Sequence, residues 1–200
     1  EGKSGQRMVA VVLHKPRTAG KRYRLAMAKD IEIFREAEKY MEEKRQKLYE
    51  EWGIDPVPDE EIPLMSGTFN VPIYGITKWG DLFNSRQKLA LITFTEKVRL
   101  AYKKIIEEGY DEEYAKAVVS YLGLTLDMLA AFTNVLARWE NTSEAIKQLY
   151  SRQALPMLWD FVEGNPFSGS SGSFVAGQEY YLKVLSHLTQ IPPVRMEEEG

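Results

Sequence analysis

From Asn165 to Gly172 the chain reads Asn165, Pro166, Phe167, Ser168, Gly169, Ser170, Ser171, Gly172, a turn followed by residues too small to cover their own backbone. Amides accessible at a turn and at the start of the next helix hold phosphate or another anion. Anion binding is therefore the first chemistry on offer, although an ordinary connector has the same composition and is what the residues alone favour. The run lacks the Lys of G-K-(S/T), so a nucleotide-binding P-loop is not supported. A second cluster, Lys15, Arg17, Lys21, Arg22 and Arg24, lies in HKPRTAGKRYR with no acid among residues 14–24. Such a basic tip docks on phosphates even when the chain around it is acidic; its bland reading is a solvated hairpin turn. The third feature is charge in isolation. Asp127 is the only charge between Lys116 and Arg138, and Asp160 the only one among residues 155–162. A carboxylate buried without a partner protonates, so Asp127 needs Arg86, Arg138 or Arg152. Asp127, Arg152 and Asp160 are read as a buried charge network that either shifts pKa values at a site or fixes helix register.

Mostly helical elements must position these groups. An apolar run, MVAVVL from Met8 to Leu13, the basic turn with Gly20, and YRLAM predict a β-hairpin. Asp30 predicts the cap of a helix over 31–52, stopped by Gly53, with Ile33, Phe34, Met41, Leu48 and Trp52 on a partial apolar stripe. Pro56, Pro58, Pro63 and Pro72 make 54–73 an extended linker and the best domain boundary, between a hairpin-plus-helix unit over 1–53 and a helical core over 74–200. Ser85 predicts a cap for a helix reaching 108, and Gly109 its stop. Asp111 then caps a helix to 139 that is apolar nearly all round, which predicts the buried centre of a bundle and not a bilayer span. Shorter helices are expected over 143–154, 156–163 and 173–188. The fold class is mainly α, a helical bundle with a small N-terminal β-hairpin.

Composition narrows the function classes. A net charge of −3 and a pI near 5.6 argue against a general nucleic-acid coat protein. With no cysteine there is neither a disulfide framework nor a thiolate metal site. His14 and His187 stand far apart, so no metal site is expected. No basic run followed by an apolar stretch marks a secretory signal, and a cytoplasmic location without membrane contact is expected. Glu/Lys-rich helices without cysteine are compatible with a thermophilic source.

Two long stretches carry a resemblance. RQALPMLWDFVEGNPFSGSSGSF, Arg152 to Phe174, and YGITKWGDLFNSRQKLAL, Tyr74 to Leu91, resemble segments of the large adenine-specific DNA methylases of archaea and bacteria. Relatives more often have Trp at Phe174 and Pro at Ser85, and the similarity runs from VAVVLH through EEWGIDPVPDE over nearly all of the chain. Neither motif follows from amphipathic periodicity. The chain departs from the family near Met128 to Asn134, where Met128, Ala131, Phe132 and Thr133 stand in place of an Arg and an Asp-Tyr-Asn cluster. It also lacks the Gly-rich cofactor turn and the (D/N)-P-P-(Y/F) tetrapeptide, between which this region lies in the family.

The resemblance implies an interior, non-catalytic, target-recognition-like insert of an S-adenosylmethionine-dependent DNA adenine methyltransferase, in a restriction-modification setting. The parent, not this segment, would bind the cofactor; DNA and the methylase catalytic domain are the implied partners. A helical scaffold that touches no nucleic acid is the alternative, and an independent anion module on the Ser/Gly loop is the third reading.

Overall fold

An apolar run on one side of a basic turn and RYRL on the other form the first element. Ala10–Leu13 (β1) pairs antiparallel with Arg22–Leu25 (β2), placing Val11 opposite Arg24. The computed structural model describes residues 5–15, 18, 20–151, 153–170 and 172–190. The protein is mainly α-helical, with this small N-terminal hairpin and four helices, Ala28–Trp52 (α1), Ser85–Glu107 (α2), Glu112–Phe132 (α3) and Phe174–Leu188 (α4). In sequence order each helix from α1 to α4 packs on the next.

Helix ends follow capping chemistry, with two shifts from expectation. The first helix starts at Ala28, before Asp30, because Asp30 works from inside the first turn: its carboxylate accepts the Met27 amide at 2.8 Å. Gly53, at φ 71°, takes the left-handed conformation that closes the helix. Asn84 and not Ser85 caps α2, accepting the Gln87 amide while Gln87 Oε1 accepts that of Asn84, each at 2.9 Å. Asp111 caps α3 as expected, accepting the Tyr114 amide at 2.7 Å.

The third helix corrects the largest expectation. It stops at Phe132, and residues 133–139 leave the helical path because Asn134 turns its side chain back on the helix. The fully buried Asn134 amide donates to the Ala130 and Ala131 carbonyls at 3.0 and 2.9 Å, and its Oδ1 accepts from the Leu136 amide at 3.0 Å. These bonds occupy carbonyls that a further turn would have used. Nor is α3 the buried centre: Ala115, Thr125, Leu129 and Ala131 are buried, while Tyr114, Tyr121 and Leu124 are exposed. Among the described residues it alone has the length and apolarity of a bilayer span, and it packs on α2 and α4. Asp127 is exposed, as is Asp160, and Arg152 lies outside the described residues. The expected buried charge network is thus not formed by the two acids, because the helix face and the loop that carry them are open to solvent.

Two expected helices are absent. Residues 143–154 contain a strand, Ala145–Lys147 (β4), paired antiparallel with Arg138–Glu140 (β3), and a short turn of 3-10 helix. Residues 156–163 are irregular, and their backbone bonds elsewhere, as where Val162 donates to the Ala137 carbonyl at 3.0 Å. The main core is accordingly built from irregular chain: Ile62, Val71, Ile76 and Leu82 meet Val135, Leu136, Leu149 and Leu155. The proline-rich stretch packs, since Val57, Ile62 and Val71 are all buried. A smaller cluster joins Leu48 of α1, Val57 and Ile92 of α2.

Asn134→Ala should leave the Ala131 carbonyl and the Leu136 amide short of partners in a dry region, with the Ala130 carbonyl keeping only the Thr133 amide, and lower the unfolding free energy by about 1–3 kcal/mol. Urea titration reads this as an earlier midpoint at constant slope; a midpoint unmoved within error would show that the side chain does not terminate α3.

Candidate functional site

The two long motifs, some eighty residues apart, are brought together by one carboxylate. Glu163 accepts a hydrogen bond from the Asn84 side-chain amide and takes Arg86 in a fork, Nε at 2.8 Å and Nη2 at 2.7 Å. The arrangement is local in origin. Asn84 caps α2 and Arg86 lies in its first turn, and Gly164 packs beside β4, where a Cβ would lie 2.8 Å from the tip of the Ile146 side chain. Aromatic contacts extend the join: Tyr74 meets Trp159 edge-on at 5.4 Å, and Phe94 of α2 stacks on Phe174 at 4.5 Å and meets Phe167 at 5.4 Å.

The Ser/Gly loop is tied to itself. Asn165 accepts the Phe167 amide on its side chain at 3.0 Å and the Ser168 amide on its carbonyl at 3.1 Å. The Phe174 amide reaches the Pro166 carbonyl at 3.0 Å, and the Ser168 and Ser170 hydroxyls bond at 2.7 Å. The Ser170 amide lies 3.4 Å from Ser168 Oγ, and Ser173 Oγ caps α4 through the Ala176 amide at 3.2 Å. Gly172, at φ 85°, packs where a Cβ would come within 2.9 Å of Phe132. Amides expected to receive an anion, at Phe167, Ser168 and Ser170, are thus engaged within the loop; Ser171 lies outside the described residues. What the loop presents is Phe167, 74% exposed on the outer end of the aromatic stack.

Beside this clasp lies a cavity of about 800 Å³ between α1, the first turns of α2 and residues 163–167. Tyr40, Lys44 and Lys47 line it from α1, Gln87 and Leu89 from α2, and Phe167 from the loop. Sequence reasoning named Phe167 but missed Gln87, Glu163 and the α1 residues; the signal available was the Arg86-Gln87 pair inside the first motif. Gln87 is 2% exposed, and its Nε2 has no hydrogen-bond partner among the described residues. The orientation of its amide is set by chemistry, because the Asn84 amide needs the oxygen as acceptor, which leaves the NH2 as the unmatched end. Lys44 is held by Glu96 at 2.9 Å, and this bond holds the Glu96 carboxyl below its usual pKa.

The basic tip is partly consumed within the protein. Arg24 grips Asp30 with two bonds, 2.6 and 2.8 Å, and holds that carboxyl well below the usual range. Lys21 donates to the Glu144 carbonyl and sits 5.1 Å over the Trp139 ring. Tyr23 donates to Glu144 at 2.8 Å, which raises the Tyr23 pKa, and meets Trp139 edge-on. These contacts dock the N-terminal hairpin on β3–β4. Lys15 and Arg22 remain exposed, and Arg17 lies outside the described residues. Among the described residues no three His, Asp or Glu side chains converge as a metal ion would require. No family model matches the chain, and no curated protein or solved structure matches it.

The Arg86–Glu163 pair is part-exposed, so its coupling should be about 1 kcal/mol. A double-mutant cycle of Arg86→Ala and Glu163→Ala, followed by chemical denaturation, measures it directly. Strict additivity of the two changes would mean that the ion pair does not hold the clasp, which then rests on the Asn84–Glu163 bond and the aromatic contacts.

Proposed function

We propose that the chain is a DNA-facing, target-recognition-like insert of an S-adenosylmethionine-dependent adenine methyltransferase, acting in the cytoplasm beside a catalytic domain that supplies the cofactor and the D-P-P-Y chemistry. The observation that carries this reading is the convergence, through Glu163, of the two stretches that resemble the methylases. Their polar and aromatic residues answer no demand of helix periodicity, and their meeting at one open cavity is what a shared binding site requires. Phosphate contacts fall to the hairpin and base contacts to the clasp, the usual division between positioning and reading.

Within the hairpin the contribution is unequal. Lys21 and Arg24 already satisfy Glu144, Trp139 and Asp30; Lys15 and Arg22 are the described cations open to a phosphate. The same internal pairing favours the second reading, a helical scaffold that touches no nucleic acid, in which the basic residues serve to dock the hairpin.

Two measurements divide these readings. Incubated with labelled S-adenosylmethionine and an adenine-containing duplex, the chain alone should transfer no methyl group, and transfer above a blank would overturn the assignment as a non-catalytic insert. Duplex binding should be weak, independent of sequence and steeply salt-dependent. Lys15→Ala with Arg22→Ala should flatten the log-log salt slope by about two units, whereas Lys21→Ala with Arg24→Ala should barely change it. An unaltered slope in the first double variant, or no binding at low salt, leaves the scaffold as the better account.

A further inference from the structure

The cavity beside the clasp brings together three features that its packing does not use. Gln87 Nε2 is a buried donor without an acceptor among the described residues. Phe167 is held rigidly by its turn and by Phe94, yet is largely exposed. Lys47 lines the same space, and among the described residues it makes no ion pair, whereas Lys44 is bound to Glu96 and Arg86 to Glu163. A donor that must meet an acceptor, an aromatic face and a spare cation describe complementary chemistry: a flat ring with an acceptor on its edge, joined to an anion. The volume of about 800 Å³ lies within the roughly 300–1,000 Å³ typical of clefts for small organic ligands. It is far more than the roughly 30 Å³ of one water that would merely satisfy the amide.

We infer that this cavity takes a nucleoside monophosphate unit, with the base stacked on Phe167, a ring or carbonyl acceptor of the base on Gln87 Nε2, and the phosphate at Lys47. The inference rests on the reading of the chain as a DNA-facing insert and names what that insert holds. Stacking tolerates any base, since every base offers a π-face; the Gln87 donor excludes none that carries an edge acceptor. Charge favours the phosphate form, because Glu43, the other charged group of α1 at the cavity besides Lys44, faces Lys39 at 3.9 Å, and Lys47 is the lining cation without an ion pair among the described residues. S-Adenosylmethionine shares the ring but brings a sulfonium and no phosphate, and it fits this charge poorly.

The test uses 2-aminopurine deoxyribonucleoside 5′-monophosphate, free and within a short single-stranded oligonucleotide, with fluorescence quenching as the readout. Saturable quenching is expected with at least one of these probes. Gln87→Glu keeps the oxygen that accepts the Asn84 amide but removes the donor, and should weaken binding about tenfold or more. Phe167→Ala, at an exposed position, should abolish most of the quenching. Lys47→Ala should weaken the nucleotide about tenfold and leave the free nucleoside unchanged. Tighter binding of the strand assigns the natural source to DNA, and binding no tighter than the free nucleotide assigns it to a soluble one; both support the site. No saturable quenching in the wild-type protein, quenching indifferent to Gln87→Glu and Phe167→Ala in variants with unchanged helical signal, or displacement by S-adenosylmethionine better than by dAMP overturns it. Failure here with a duplex salt slope still governed by Lys15 and Arg22 removes this inference alone. The converse pattern removes the DNA-facing reading and leaves a nucleotide site.

Discussion

Between Val57 and Leu82 the main chain has little regular structure and runs along the surface, dipping inward at Val57, Ile62, Val71, Ile76, Gly80 and Leu82, and the backbone at those points must have its hydrogen bonds met. The answers come from within the segment and from far along the chain. The Ile62 amide donates to the Thr77 carbonyl at 2.8 Å, Trp79 to Glu60 at 3.0 Å and Gly80 to Pro58 at 3.0 Å, so the segment folds back on itself. Its outer sides are met by Leu155, donating to Thr68 at 2.8 Å, and Val135, donating to Leu82 at 2.8 Å. Gly80 is part of the same solution, since a Cβ there would lie 2.5 Å from the Pro58 carbonyl oxygen. Leu48 of α1 and Ile92 of α2 pack on Val57 at the start of this strip, and Val135, Leu136, Leu149 and Leu155 pack on Ile62, Val71, Ile76 and Leu82 farther along it.

That arrangement explains which parts of the structure were legible in the sequence. The hairpin, α1, α2, α4 and the start of α3 are visible because their signals are local: an apolar run before a basic turn, Asp111 as a cap, Gly53 and Gly109 as stops. The end of α3 was hidden because Asn134 terminates the helix by folding its side chain back, while hydropathy sees only the continuing apolar run. Residues 156–163 are apolar and short enough to read as a helix, but the carbonyls of Thr68 and Ala137 claim neighbouring amides. Asp127 was misplaced for a related reason. An apolar helix was equated with a buried one, whereas α3 shows solvent a face that includes Tyr121 and Leu124.

Of the site, the sequence showed the two stretches but not their union. Tyr74 to Leu91 and Arg152 to Phe174 stand out by residue type; nothing in either says that Glu163 would reach Asn84 and Arg86, because that contact depends on the path the chain takes after α3 ends. The side chains contributed by α1 were invisible for a plainer reason: Tyr40, Lys44 and Lys47 sit on a helix rich in Glu, Lys and Arg, where a cavity wall and a solvated face look alike. The basic tip illustrates the opposite error. Five cations in a row of eleven residues suggested one function, and the structure divides them between holding the hairpin down and facing solvent.

A core assembled from irregular segments also sets how the chain reaches its native state. Helices form from neighbours in sequence, and α1 to α4 need little loop closure to appear. Leu82 finding Val135, Thr68 finding Leu155 and Lys21 finding Glu144 each demand that a long stretch of chain be closed first, with its entropy lost before any apolar surface is covered. A helix-rich chain closed by such long-range joins folds more slowly than a bundle of the same helices whose contacts all lie close in sequence.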